Sequence, residues 1–264
     1  MSFFNVLEAK CRRCGNCIAE CPNRLILADD ETGLPKLRIH GEEDCILCGH
    51  CVAVCPFHAL NLAPLPEDGF VPVNKALNLP FEQVDQFLKS RRSIRSFKKK
   101  EVADGDLHNI MDAARFAPTA SHRQAIMWLL VKDPVKTHRV AEMVIEWMTF
   151  VRKNQPDKAR AYKMAGLIAG WRRGHDMILR GAPHLAVAYS DTASYWYGVD
   201  AAIALTYVEL AAHALGIGAC WAGFFTYAVA EHPPLKELLG IPDDAHVHGA
   251  QMLGYPAYPY PRLP

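Results

Sequence analysis

From residue 81 onward, apolar residues recur along the chain at helical and strand-like spacings. Phe81, Val84 and Phe87 stand three residues apart and Leu88 follows, which predicts a helix that begins at residue 81. The same periodicity predicts further helices over residues 104–116, 134–153, 156–180 and 199–215. Short apolar runs predict buried strands at 126–131, 185–189 and 247–253. Helices interleaved with few strands favour an α+β sandwich, with an α/β sandwich as the alternative.

The segment before this domain has a different composition. Residues 61–80 hold four prolines and a glycine without sustained periodicity, which is typical of a linker. We therefore expect a small N-terminal module over residues 1–62, a linker over 63–80 and a larger domain over 81–264.

Composition is that of a soluble globular protein without a membrane segment. Half of the 264 residues are apolar and 22% are charged. The longest apolar stretch, near 199–215, contains Asp200 and Glu209, so it predicts a buried helix and not a membrane span. The net charge of +1 predicts no nucleic-acid partner. Charge is uneven, since residues 1–62 hold six Lys/Arg against eight Asp/Glu and residues 81–100 hold seven against two.

Eight of the nine cysteines form one spacing pattern, C-x2-C-x2-C-x3-C-P, written twice. The two runs are Cys11, Cys14, Cys17 and Cys21, then Cys45, Cys48, Cys51 and Cys55. This is the spacing of bacterial two-cluster ferredoxins, and it predicts two [4Fe-4S] clusters that move single electrons. Zinc remains an alternative, although zinc sites usually pair two C-x2-C knuckles across a longer loop. The first ten residues lack the features of an export signal, so we expect reduced cysteines and a cytoplasmic protein.

The resemblance to two-cluster ferredoxins implies crossed ligation, in which the fourth cysteine of each run binds the other cluster. One cluster would take Cys11, Cys14, Cys17 and Cys55, and the other would take Cys45, Cys48, Cys51 and Cys21. A module this small buries little apolar surface, so the metal would supply folding energy.

A basic segment, Arg91-Arg92-Ser93-Ile94-Arg95-Ser96-Phe97, follows the helix predicted at residue 81. Guanidinium groups match phosphate oxygens, and Ser93 adds a hydroxyl donor, so the segment is typical of a phosphate site. A nucleic-acid patch and a solvated turn remain alternatives when the segment is considered alone.

Five motifs in order make residues 81–264 resemble the nitroreductase superfamily. They are the basic segment itself, Ala117–Gln124, Asp200–Ala204, Leu215–Gly223, and Leu253–Pro256 with Arg262. The resemblance implies a mostly antiparallel central sheet flanked by helices, and FMN bound by a homodimer with both subunits contributing to each site.

The resemblance also implies roles for individual positions. The phosphate and ribityl end of FMN would contact Arg91, Arg92, Ser93, Arg95 and Arg262. The other subunit would cover the flavin ring with Pro118, Thr119 and Ala120, and Ala222 and Gly223 would pass near flavin N5. Further expected cofactor contacts are His122, Gln124 and Trp221. Backbone contacts near N1 and N5 are a main means by which proteins tune flavins.

The chain departs from the family pattern at two places. His122 stands where the family has Asn, as in the iodotyrosine-deiodinase-like branch, and Ala125-Ile126 replaces Pro-Trp. His122 is a candidate catalytic residue because histidine titrates near neutral pH, and a structural role is the equal alternative. Phe150 lies where a deiodinase would need Tyr after Glu146, which argues against deiodination.

These resemblances predict an FMN-dependent oxidoreductase fed one electron at a time through two [4Fe-4S] clusters. The donor would be ferredoxin or another low-potential carrier, or NAD(P)H, and the acceptor a small nitroaromatic, quinone or activated alkene. Reductive dehalogenation, flavin remodelling and non-catalytic electron transfer remain alternatives.

Overall fold

A computed structural model describes residues 2–65 and 69–263, and the chain divides into two compact units. The first contains the chain up to Asn78 together with Ser121–Arg123. The second contains Leu79–Ala120 and the chain from Gln124 onward. The domain limits drawn from composition stay a prediction, and residues 66–68 of the predicted linker lie outside the described residues.

The first unit consists of two antiparallel strand pairs and two short helices. In chain order these are β1 (Phe4–Val6), α1 (Asn16–Glu20), β2 (Ile26–Ala28), β3 (Pro35–Leu37), α2 (His50–Ala53) and β4 (Leu60–Leu62). Strand β1 pairs with β4, and β2 pairs with β3. The buried apolar cluster of this unit centres on Ile26, Cys51, Leu60 and Leu62. So small a core needs a further source of stability, such as bound metal.

The second unit is built on a four-stranded antiparallel sheet with strand order β5-β6-β8-β7. The strands are β5 (Met127–Val131), β6 (His184–Ser190), β7 (Gly218–Trp221) and β8 (His246–Gly254). Register is defined by pairs such as Trp128 with Ala188 and Trp221 with Gln251. Residues of the sheet belong to two buried apolar clusters. The edge formed by β7 lies next to the basic segment, since Ala219 bridges to Ser93.

Helices cover both faces of this sheet. They are α3 (Phe81–Ser90), α4 (Asp104–Ala114), α5 (Pro134–Asn154), α6 (Pro156–Ala161), α7 (Met164–Arg172), α8 (Tyr195–Ala214), α9 (Gly223–Glu231) and α10 (Pro233–Leu239). The largest buried cluster includes Met148 of α5, Val187 of β6 and Phe225 of α9. A second cluster joins Ile110 of α4 with Val208 of α8. No helix of the described ranges has the length and apolar character needed to cross a membrane.

One predicted helix is wrong. Residues 156–180 do not form a single helix, because Lys163 adopts a left-handed backbone conformation, with φ of 53°, between α6 and α7. Beyond α7, the carboxylate of Asp176 accepts backbone N–H bonds from Ile178, Leu179 and Gly181, and these bonds hold a turn instead of a helix. Strand β7 and helices α9 and α10 were not predicted as elements.

Candidate functional site

The eight cysteines of the two runs line two separate cavities in the first unit. One cavity is lined by Cys11, Cys14, Cys17 and Cys55, and the other by Cys45, Cys48, Cys51 and Cys21. Each cavity therefore takes three cysteines from one run and the fourth from the other run. This sorting is the one that crossed ligation requires.

The backbone of each run turns its amides toward sulfur. Gly15 and Gly49 precede α1 and α2 with φ of 79° and 70°, a left-handed conformation that glycine adopts without steric cost. The Sγ atoms of Cys21 and Cys55 accept N–H bonds from Leu25 and Ala59, both at 3.3 Å. Bonds of this kind favour the thiolate, which is the form that binds iron.

The thiols around each cavity lie close enough to affect one another. Burial, followed by the nearby Cys48, Cys45 and Cys21, raises the pKa of the Cys51 thiol to about 12. The cavity that includes Cys11 has a volume of about 190 Å³, and the cavity that includes Cys51 has a volume of about 30 Å³. Four thiols spread around a cavity suit an iron–sulfur cube, whereas a tetrahedral zinc ion needs all four sulfurs at about 2.3 Å from one atom.

The basic segment extends the sheet of the second unit along strand β7. Ser93 forms a parallel bridge with Ala219, and the Ile94 amide donates to the Ala219 carbonyl at 2.9 Å. A Cβ atom at Gly218 would lie 2.5 Å from the Ile94 side chain, so this approach depends on glycine. These contacts hold the segment against the β7 edge of the sheet, so it is not a free turn.

The arginines of the segment point into two different cavities. Arg91 and Arg92 line a cleft of about 430 Å³ together with Lys98 and Tyr260. Arg95 instead lines a neighbouring cavity of about 240 Å³. Residues 91 and 95 would share a face of a regular strand, so the irregular path of the segment, which is bridged only at Ser93 and Phe97, separates these positions.

Arg91 has an unexpected protein partner. Its Nη1 atom donates to Glu209 Oε1 of α8 at 2.6 Å, and the Glu209 side chain is only 11% exposed. Arg92 Nη1 donates to the Arg91 carbonyl at 2.6 Å. Glu209 therefore orients Arg91 beside the cleft, a role that its place in an apolar helix pattern did not reveal.

The loop over 117–124 is anchored at one end to α8. The Ala120 amide donates to Asp200 Oδ1 at 3.0 Å, and the Gln124 amide donates to Thr119 Oγ1 at 3.1 Å. Ser121, His122 and Gln124 all have positive φ, which costs free energy for residues other than glycine. Asp200 is 2% exposed and its Oδ2 atom has no hydrogen-bond partner within the described structure.

The stretch Cys220–Gly223 joins β7 to α9 beside the smaller cavity. Burial raises the pKa of Cys220, which makes it a packed thiol and a poor nucleophile. The Ala222 amide already donates to the Ala250 carbonyl at 2.8 Å. Gly223 opens α9, where first-turn amides lack partners inside the helix, so its N–H is one of the donors open to a ligand.

The remaining predicted residues differ in exposure. Pro118 and Gln124 are exposed, Thr119, Ala120 and His122 are half-buried, and Trp221 and Arg262 are exposed. Their roles toward a cofactor stay predictions. The sequence did not assign a functional role to Glu209, Asp200 or Arg180. Glu209 and Asp200 could have been singled out, since a carboxylate inside an apolar helix needs a partner.

Comparisons with known proteins agree with this geometry. A model described as the Nitroreductase family matches residues 88–255, and one described as a 4Fe-4S dicluster domain matches residues 10–59. An NADH dehydrogenase of Thermus thermophilus is 28% identical over 189 residues, covering 66% of this chain and 88% of that protein. An FMN reductase (NADPH) of Bacillus subtilis is 25% identical over 179 residues, covering 66% and 68%.

Solved structures show the same fold. A nitroreductase with bound FMN from Bacteroides fragilis has a TM-score of 0.55 and 27% identity, covering 66% of this chain and 89% of that chain. A nitroreductase with bound FMN from Desulfitobacterium hafniense has a TM-score of 0.57 and 24% identity, covering 69% and 94%. These findings confirm the predicted α+β fold class and the predicted oxidoreductase class.

Proposed function

Because this chain belongs to the nitroreductase family and has an N-terminal 4Fe-4S dicluster domain, we propose that it is an FMN-dependent reductase of a small acceptor, supplied with single electrons by two [4Fe-4S] clusters. One observation supports this proposal above the others. The same chain contains two four-cysteine cavities and, beside the β7 edge of the sheet, a basic segment of the kind expected to hold FMN phosphate.

The cysteines of each cavity would hold one cluster. Their thiolates would each bind one iron, and the N–H bonds to Cys21 and Cys55 would stabilise the negative charge. The positive charge of iron would offset the burial that otherwise keeps the Cys51 thiol protonated.

The second unit would hold FMN along its basic edge. Arg91, Arg92, Ser93, Arg95 and Arg262 would bind the phosphate and ribityl end, and the Gly223 amide would donate to the ring. Bound FMN supplies the chemistry of accepting single electrons and releasing them as a pair. The protein would orient the ring and exclude water from it.

Exposed apolar surface supports the proposal of a homodimer. Every residue of α3 remains at least partly exposed, with Phe81 at 76% and Leu88 at 50%. On α8, Tyr207 is 38% exposed within an otherwise apolar helix. A second copy of this chain would cover these faces, and its residues Pro118, Thr119 and Ala120 would complete the flavin site.

The acceptor reaction needs two electrons and two protons. For a nitro group, these convert the group to a nitroso group and release water. The electrons would come from ferredoxin or another low-potential donor, or from NAD(P)H, as in the relatives named for NADH or NADPH.

The test is rapid mixing of the oxidised holoprotein with chemically reduced ferredoxin under anaerobic conditions, with flavin bleaching as the signal. Cys14→Ala and Cys48→Ala variants that retain FMN should bleach at least about tenfold more slowly, since each removes a cluster ligand. Bleaching at the wild-type rate in both variants would show that the clusters do not supply the flavin. Bleaching by NADH alone at a higher rate would assign the donor to NADH.

A further inference from the structure

The two cysteine cavities share one ligand spacing but have different surroundings. The first cluster site is formed by Cys11, Cys14, Cys17 and Cys55, and the second cluster site by Cys45, Cys48, Cys51 and Cys21. In each site the cysteine taken from the other run accepts one N–H bond at 3.3 Å. Hydrogen bonds to sulfur, solvent exposure and net charge set the reduction potential of an iron–sulfur cluster. Since these two hydrogen bonds are alike, exposure and charge are the properties by which the sites can differ.

Two equivalent glycines show a difference in exposure. Gly49 of the second site is buried, and a Cβ atom placed on it would lie 3.0 Å from the ring of Phe70 and 3.5 Å from the side chain of Leu65. Gly15 of the first site is half-buried, and no described atom would lie within 4 Å of a Cβ atom placed there. Phe70 and Leu65 therefore exclude water from the cysteine loop of the second site, whereas the loop of the first site is open.

The cysteines at equivalent positions of the two runs follow the same trend. Cys14 is exposed whereas Cys48 is half-buried, and Cys17 is half-buried whereas Cys51 is buried. A cluster gains one negative charge when it is reduced, and burial away from water disfavours the more highly charged form. The second site should therefore hold its cluster at a lower reduction potential than the first site.

The charged side chains around the cavities differ in the same sense. Arg12 and Arg13 line the cavity of the first site, and Arg13 also lies 3.7 Å from the carboxylate of Glu8, which offsets part of its charge. Within the described residues, no charged side chain lines the cavity of the second site. A positive charge beside a cluster favours the reduced form, so Arg12 should raise the potential of the first cluster.

We propose that Phe70 and Arg12 make the two clusters unequal, with the higher reduction potential at the first site and the lower reduction potential at the second site. Phe70 would lower the potential of the second cluster by excluding water, and Arg12 would raise that of the first by its charge. Phe70 lies in the segment predicted as a linker, which would thus also form part of a cluster site. This inference rests on the two clusters of the proposed function and is independent of the acceptor.

The experiment is a redox titration of the holoprotein followed by electron paramagnetic resonance. Dithionite supplies one electron to each cluster under anaerobic conditions, and samples are frozen at a series of potentials. The titration is done at about pH 8, where ordinary histidines are neutral. Wild type should show two one-electron steps whose equilibria differ by about tenfold or more, which is about 59 mV or more.

Two variants assign the steps to the sites. Phe70→Ala should shift only the lower-potential step, raising its equilibrium for reduction by about threefold or more, and Phe70→Leu should shift it less. Arg12→Met should lower only the higher-potential step. Val71→Ala, at a neighbouring position that is 80% exposed, is the control for Phe70 and should change neither step. Arg172→Met, which removes an exposed cation of the second unit, is the control for Arg12.

Each outcome decides a different point. Equal potentials in wild type, or a Phe70→Ala variant in which the higher-potential step moves, would overturn the inference while leaving the two clusters in place. If Phe70→Ala does not retain its clusters, wild type, Phe70→Leu and Arg12→Met still decide the matter. Two unequal clusters that do not reduce the flavin would support the inference and contradict the proposed electron route. Zinc in place of iron would contradict both.

Discussion

Arg91 and Glu209 form an ion pair of 2.6 Å that connects the basic segment to helix α8, although the two residues stand 118 positions apart in the chain. The Arg91 side chain is 29% exposed, so the pair is largely but not fully removed from water. The ion pair orients Arg91, the first arginine of the basic segment. Other residues of that segment are expected to bind FMN.

Removing one partner of this pair should destabilise the protein. Arg91→Met would leave the Glu209 carboxylate buried without its donor, a loss of about 1–3 kcal/mol in the free energy of unfolding. A double-mutant cycle with Glu209→Gln, followed by urea denaturation, measures the coupling. Additive effects of the two changes would contradict a functional ion pair.

Arg91 and Arg95 line different cavities, so substituting each one tests separately whether its cavity contributes to FMN binding. Arg91→Met and Arg95→Met should each weaken FMN binding by about 1.5–3 kcal/mol, the usual value of a hydrogen bond to a charged group. FMN occupancy after gel filtration is the measurement, with the exposed Lys99→Met as the control. Full occupancy in both arginine variants would reject the phosphate assignment.

Because of His184, the free energy of unfolding should decrease when the pH is lowered. This side chain is 1% exposed; its Nε2 atom accepts the Val102 N–H at 2.9 Å and its Nδ1 donates to the Lys132 carbonyl at 2.8 Å. Burial lowers the pKa of His184, a change that the nearby Glu101 and Asp104 oppose. In the unfolded chain this histidine binds a proton near pH 6.5, whereas in the folded chain it stays neutral at that pH. The protein therefore loses stability as the pH falls below about 6.5.

Urea denaturation at several pH values between about 7.5 and 5.5 measures this effect, the window being set by the ordinary histidine pKa of about 6.5. His184→Gln should be less stable than wild type at neutral pH and should show a shallower decline in acid. The exposed His175→Gln is the control. A decline in His184→Gln as steep as in wild type would assign the acid sensitivity to other groups.

The apolar face of α8 should be a subunit interface. Tyr207→Arg places a charge on this face and should convert a dimer to a monomer, with loss of FMN because the partner's loop would be missing. Sedimentation velocity and flavin absorbance report both changes. Val135→Arg, at a position 77% exposed at the start of α5, is the matched control, and a dimeric Tyr207→Arg protein would place the interface elsewhere.

Residue order alone was enough to recognise the two cysteine runs and about half of the regular elements of the second unit. Ligand spacing in a cluster site is a local property, so the two runs could be recognised from residue order, and the structure groups Cys21 and Cys55 with the opposite runs. Helix α5 and the strands β5, β6 and β8 follow strong local periodicity, which packing then reinforces.

The contacts between charged side chains became visible only from tertiary packing. The partner of Arg91 depends on how α8 packs against the sheet, and the separation of Arg91 from Arg95 depends on the irregular path that the basic segment takes along the β7 edge. Arg180 reaches the same cavity as Arg95 because Asp176 replaces a helical turn with a fixed loop. Contacts between distant residues are products of packing, which no local pattern encodes.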